Sequence, residues 1–286
     1  MSFRKASGFT IVELLVVITI IGILMALLFP AINAARESAR KGNCVSNQRQ
    51  VGVAITTFAN TGKGEFPKHL NTKKDDMGAD VPWPWVCNVM TNIGRGDIAD
   101  VMQAGTAGVN PASRTERIDI LICPSDKPAD QTSQQINYVA NTGIDGLDEG
   151  PADGVFMQTK QVTMAYVAQN DGASTTLMLS ENNDAGEWND NSITNTDVAQ
   201  TALIWQAAAP SAGCGLNDNS GTCTGLAAAR PRSSHSGGFV VTFCDGHTSF
   251  ISDQIDYNVY RLIMTPNGSS ATSPQSDILS EADLDK

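Results

Sequence analysis

Positive charge is scarce in this 286-residue chain: 19 Lys and Arg stand against 30 Asp and Glu, for a formal net charge of −11. There is no basic stripe, so a phosphate backbone would be repelled and nucleic acid is excluded as a partner. Histidine is scarcer still, limited to His69, His235 and His247. His69 stands alone, no His-Glu-x-x-His pair occurs, and no Cys-x-x-Cys or Cys/His cluster has zinc spacing, so structural zinc is not expected. A Gly-x-Ser-x-Gly elbow and a phosphate-binding loop are also missing. Ser234 and Ser236 do not make a triad by lying beside His235, because a triad needs defined three-dimensional geometry. The expectation is a non-enzyme. Charged residues are only 17 % of the chain, while Gly, Asn, Ser and Thr are plentiful. That composition suits an exported, turn-rich β domain better than a disordered chain.

What the chain does have is a long apolar run. After a cationic stub (Arg4, Lys5), residues 9–29 are apolar apart from Thr10, Thr19, Gly22 and one acid, Glu13. A helix of that length spans about 31 Å, matching a hydrocarbon core of about 30 Å. A carboxylate inside such a run costs about 2.5–3.5 kcal/mol, so Glu13 is expected to have a partner and a purpose. A secretory signal peptide would have a shorter apolar core followed by a small-x-small cleavage site. A plain signal anchor would fit the length but would need neither Glu13 nor a Gly directly before Phe9.

The pattern Gly8-Phe9-Thr10-x-x-Glu13 ahead of an apolar stretch resembles the processing site of type IV pilins and type II secretion pseudopilins. The resemblance implies that a prepilin peptidase cuts between Gly8 and Phe9 on the cytoplasmic side and that the new Phe9 amine is methylated. Loss of residues 1–8 removes Arg4 and Lys5 and takes the net charge to −13. Glu13 would then pair with the Phe9 amine of a neighbouring subunit, since docking in register relieves two charges that are each costly in lipid. Gly22 and Pro30 fall where type IV pilins carry a Gly and a Pro that loosen the helix in a filament. Pro30 is expected to kink it.

Further phrases extend the likeness over nearly the whole chain: Cys44-Val-Ser-Asn-Gln, Phe66-Pro67, Cys123-Pro-Ser-Asp126, Asn137-Tyr-Val-Ala-Asn141, Asp153-Gly-Val-Phe156, Asp171 to Asn182, and His235 followed nine residues later by Asp245-Gly246. The set is similar to bacterial prepilin-like proteins with a His-x(9)-Asp-Gly signature. The implied architecture is α+β and pilin-like: a long N-terminal helix, half transmembrane and half amphipathic, packed on an antiparallel β-sheet head with long loops. The division is 1–8 leader, 9–60 helix and 61–286 extracytoplasmic head. Implied partners are further copies of the chain in a helical filament, prepilin peptidase, an inner-membrane assembly platform and membrane lipid. The subunit would sit in the bacterial inner membrane before assembly, then in a periplasmic or cell-surface fibre. The alternative is a membrane-tethered or filament-tip module that binds a glycan or a secreted cargo.

Val51, Ile55 and Phe58 at helical spacing extend the helix past Pro30, with a break allowed at Gly42-Asn43. Strands are expected at 117–122, 136–140, 154–158, 175–180, 238–244 and 247–252. Asp245-Gly246 between the last two predicts a hairpin whose central residues both take positive φ. Pairing 243 with 248 puts Phe239, Val241, Phe243 and Phe250 on one core face. Six cysteines outside the cytoplasm allow fifteen pairings, with Cys214–Cys223 the local candidate and Cys244 a buried free thiol.

Three groups invite a functional reading. His235, Asp245 and His247 form either a metal or catalytic set, or a turn (Asp245) and a backbone lock (His235). Asp184, Glu187, Asp190 and Asp197 form either a calcium loop or a solvated one. Trp83-Pro84-Trp85 is either an exposed aromatic ledge or a loop packed on the core. No cofactor other than that calcium is expected.

Overall fold

Thr10 opens the first helix with a capping box: its hydroxyl accepts from Glu13 N at 3.3 Å while its own N–H donates to Glu13 Oε2 at 2.9 Å. In this computed structural model, which describes residues 10–74, 78, 80–103, 114–126, 128, 130, 132–144, 150, 152–158, 160–189, 201–206, 214–218, 223 and 225–271, helix α1 runs unbroken over Ile11–Thr61 with Pro30 inside it. The break allowed at Gly42-Asn43 does not occur. Just beyond it, Cys44, Gln48, Val51, Gly52, Ala54, Ile55 and Ala59 form a buried stripe on the head, and that packing outweighs the ~1 kcal/mol that Gly42 costs relative to Ala.

A small antiparallel ladder follows, β1 (Leu70–Lys74) with β2 (Asp80–Pro84), then α2 (Trp85–Val89) and α3 (Gly96–Gln103). The main sheet is built from β3 (Tyr138–Ile144), β4 (Leu177–Glu181), β5 (Ala202–Trp205), β6 (Gly238–Phe243) and β7 (Thr248–Ser252), with α4 (Met164–Gln169) before β4 and α5 (Tyr257–Met264) after β7. Strand order is β5-β3-β4-β6-β7. Every neighbouring pair is antiparallel except β3 with β5, so the expected antiparallel head is a mixed sheet. Helix α1 lies on β4, β6 and β7, and α5 on β4 and β5. The helix comes so close at Gly52 that a Cβ there would stand 2.6 Å from Thr242 Cγ2. The fold is α+β and pilin-like.

Two expected strands are not strands. Residues 117–122 tighten into a 3-10 turn at Asp119–Leu121, which still buries Ile118, Leu121 and Ile122. Residues 154–158 bend around the irregularity in β3, where Val155 N and Phe156 N both donate to Asn141 O.

The last hairpin also differs in register. Phe243 N donates to His247 O and Gly246 N to Phe243 O, giving a three-residue loop, Cys244 to Gly246. Only Gly246 takes positive φ (89°); Asp245 does not. This is a type I turn closed by a left-handed glycine, one residue longer than the expected two-residue turn. The extra residue pairs Thr242 with Thr248 and Val240 with Phe250. Phe250 therefore sits on the Val240 face and not with Phe239 and Val241, because a one-residue slip turns every side chain over. There it meets Lys41 of α1, whose Nζ lies 2.9 Å from the ring centroid.

Candidate functional site

Four separate segments meet at the lower end of the head, where α1 enters it. Helix α1 brings Glu37 and Cys44, the loop after the 3-10 turn brings Cys123 and Asp126, β4 ends on Glu181, and the segment before β6 brings His235. Cys44 and Cys123 form a disulfide across 79 residues of sequence. His235 is 3 % exposed. Its Nδ1 donates to Glu37 Oε1 at 2.9 Å. Its Nε2 faces inward, 3.5 Å from Cys123 Sγ and 3.4 Å from Glu181 Oε1. The Glu181 contact has ion-pair distance without hydrogen-bond alignment, so Oε1 lacks a hydrogen-bond partner. The other oxygen, Oε2, accepts from Val240 N at 3.0 Å.

The surroundings hold these groups in place. Glu37 Oε1 also accepts from Ser125 Oγ at 2.7 Å, and Oε2 from Arg40 at 3.3 Å. Asn137 links the parts: Oδ1 accepts from Cys123 N at 2.9 Å and Nδ2 donates to Asp126 Oδ2 at 2.7 Å. Ser234 Oγ donates to Asp126 Oδ1 at 3.2 Å. Burial works to lower the His235 pKa, but the Glu181 and Glu37 carboxylates outweigh it and hold the imidazole above its ordinary value. Burial pushes the Asp126 carboxyl up, against the hydrogen bonds from Ser234 and Asn137.

The structure separates the expected His235, Asp245 and His247 set. His235 and Asp245 bracket β6, six residues long, at about 3.3 Å per residue. The ring of His235 binds two carboxylates and not a loop backbone. Asp245 is a turn residue, with Oδ1 accepting from His247 N at 2.9 Å and lying 2.6 Å from His247 Nδ1. The His247 ring stacks on Phe243 at 4.4 Å.

Cys214 and Cys223 are joined in a disulfide, while Cys87 and Cys244 are buried free thiols. Asp184 is ion-paired with Arg232, Glu187 is exposed, and Asp190 and Asp197 lie outside the described residues. Trp83 and Trp85 are core residues, 2 % and 0 % exposed. Gly22 and Pro30 lie within α1, whereas Gly8 and Phe9 lie outside the described residues.

Glu37, Asp126, Asn137 and Glu181 were not singled out as site residues from sequence. The available signal was an acid closing the otherwise uncharged strand Leu177–Ser180, and the fact that Cys123, Asp126, Asn137, Glu181 and His235 all lie in the phrases that carry the resemblance.

Among the described residues, α1 is the one helix long and apolar enough to cross a membrane. Its large apolar side chains from Ile11 to Ile32 are 46–79 % exposed.

No curated protein and no solved structure matches the chain. Residues 3–29 match the prokaryotic N-terminal methylation motif. Residues 33–258 match the family described as "Protein of unknown function (DUF1559)". With an N-terminal motif of the prepilin type joined to a head that this family covers almost entirely, the chain belongs to that family of pilin-like proteins.

Proposed function

We propose that the chain is a structural, non-enzymatic subunit of a type IV pilus or pseudopilus-like filament. It is cut after Gly8, methylated on Phe9, held in the inner membrane with its head outside, and drawn from an assembly platform into a fibre. The observation that carries this reading is the division of α1. From Cys44 onward the helix is built into the head, while from Ile11 to Arg36 no residue is buried. An apolar helical surface of that length calls for cover by lipid or by another protein surface, such as other copies of itself. A continuous helix lets one element serve both settings in turn.

Glu13 supports the same reading. Both hydrogen bonds from Thr10 fall on Oε2, which leaves Oε1 to accept the methylated amine of a neighbour. The capping box fixes the carboxylate at the first turn, where a neighbour's Phe9 would arrive. Pairing there gives the helix bundle one preferred register.

The test is electron microscopy of sheared surface material from cells carrying the wild-type chain or Glu13→Ala, with N-terminal sequencing of the recovered subunit. Fibres of a chain that starts at Phe9, absent from the variant, are expected. Full-length chain confined to the membrane, with no fibres from either, would remove the filament reading.

A further inference from the structure

The buried node around His235 has the chemistry of a metal site that its oxidised form conceals. One ligand atom each from Cys44, Cys123, Glu181 and His235 lie within 4.8 Å of one another, and all four residues are buried. Glu181 Oε1 is a buried carboxylate oxygen with no hydrogen-bond partner, a costly arrangement for a group that only packs. It points at the imidazole and the sulfurs. Glu37 Oε1 accepts the hydrogen bond from Nδ1–H of His235, so the other nitrogen is directed into the cluster. A carboxylate that orients a histidine through its far nitrogen is the usual outer partner of a metal-bound imidazole.

The spacing is also right. With metal–sulfur bonds of about 2.3 Å and metal–nitrogen or –oxygen bonds of about 2.0–2.1 Å, a tetrahedral site has ligand-to-ligand edges of about 3.3–3.8 Å. Nε2 already stands 3.4 Å from Glu181 Oε1 and 3.5 Å from Cys123 Sγ. What is missing is the pair of thiolates, because the sulfurs are bonded to each other.

The geometry points to a site for a borderline-soft divalent cation such as zinc, formed by Cys44, Cys123, His235 and Glu181 once the Cys44–Cys123 bond is reduced. A dithiol reductant supplies two electrons and two protons, breaks the S–S bond and becomes a disulfide itself. The cation then displaces both thiol protons, and the Nε2 proton of His235 where the ring is charged, to solvent as the two metal–sulfur bonds and the metal–nitrogen bond form. Two thiolates and a carboxylate around a divalent cation leave one excess negative charge. The ammonium of Lys41, which feels the Glu181 charge, offsets part of it. Thiolate ligands exclude calcium and magnesium, which take oxygen. The node thus ties α1 to the head in both redox states, covalently when oxidised and through the cation when reduced. The four ligands are scattered from residue 44 to residue 235, which is why no local spacing reveals them.

The test uses the full chain in detergent micelles, reduced by a phosphine without oxygen, freed of reductant and titrated with Co²⁺. One cobalt per chain is expected, with thiolate-to-metal charge-transfer absorption and the visible bands of tetrahedral cobalt, all lost on adding Zn²⁺. The oxidised chain should bind none. Binding should persist when Cys87, Cys214, Cys223 and Cys244 are replaced by Ser, and disappear in Cys44→Ser/Cys123→Ser. Glu37→Gln, at a residue that meets His235 on the side away from the four ligand atoms, should weaken it by about ten- to a hundredfold. Circular dichroism of the reduced chain settles the fold in the same samples. A reduced chain that stays folded yet binds no cobalt overturns the proposal. So does one that unfolds even with cobalt present, or binding that survives loss of both Cys44 and Cys123.

Discussion

His69 is 1 % exposed, with Nε2 2.9 Å from Thr201 Oγ1 and Nδ1 lacking a partner. Burial lowers its pKa to about 4, with Thr201 offsetting only part of that. The folded chain therefore holds the ring neutral, whereas the unfolded chain protonates near 6.5. This neutral burial contributes its full stability above the unfolded value, and the contribution falls as pH drops from 6.5 towards 4. The whole window is worth roughly 3 kcal/mol. Urea unfolding in micelles at pH 7.5 and 4.5 should show the wild type losing about 2 kcal/mol more than His69→Gln. Equal losses would show that the ring is not buried neutral. The two ends of the His-x(9)-Asp signature should likewise behave differently. His235→Ala leaves the buried Glu181 carboxylate uncompensated and should cost about 3–5 kcal/mol. Asp245→Asn, at a side chain 38 % exposed, should stay within about 1 kcal/mol. Denaturation midpoints of the two variants, measured side by side, check the contrast.

At the level of elements, what could be read from sequence followed one rule. Patterns with a local cause were legible: the apolar run of α1, the stripe that continues it, and the β6–β7 hairpin. Features decided by distant partners were not. The register of that hairpin turned on whether Cys244 joined the loop, and Cys244 N in fact donates to Thr176 O beside β4. Residues 117–122 have the apolar content of a strand but tighten into a 3-10 turn packed on α1, with Leu121 O accepting from Asn137 N. The histidine node was invisible because no two of its four ligands share a local segment.

Two of the three glycines of α1, Gly42 and Gly52, show the same dependence on context within one helix. Gly42 meets nothing within 4 Å, whereas a Cβ on Gly52 would collide with Thr242 Cγ2. Gly42→Ala should therefore stabilise by about 0.5–1 kcal/mol through helix propensity alone. Gly52→Ala should gain the same propensity and lose more, about 1–3 kcal/mol, to overpacking against a stiff β-branched neighbour. Thr242→Ser, which removes Cγ2, should restore most of that loss. Equal effects at both glycines would mean that α1 does not approach β6 as closely as described.

For the whole molecule, the decisive property is that stability and apolar exposure are carried by different halves of one helix. No residue from Thr10 to Arg36 is buried, whereas Glu37, Cys44, Gln48 and the stripe beyond them are built into the head. Among the described residues the outer half buries nothing against the head, so removing it should not change folding. A chain beginning at Asn33 keeps Glu37, the Cys44–Cys123 bond and the packed stripe. It should be monodisperse by size-exclusion chromatography without detergent, and its unfolding free energy should lie within about 0.5 kcal/mol of that of the full chain in micelles. A chain beginning at Val45 loses Glu37 and Cys44 together, leaving His235 with one carboxylate and Cys123 without its bond, and should be far less stable. If the chain from Asn33 also aggregates or unfolds, the outer half-helix has a partner on its own head, and its exposed face is not held in reserve for lipid and neighbouring subunits. If it behaves as expected, the energy that holds residues 11–32 in place comes wholly from outside the monomer. In the proposed filament, passage from membrane to fibre would then exchange one apolar surrounding for another and leave the head unaltered.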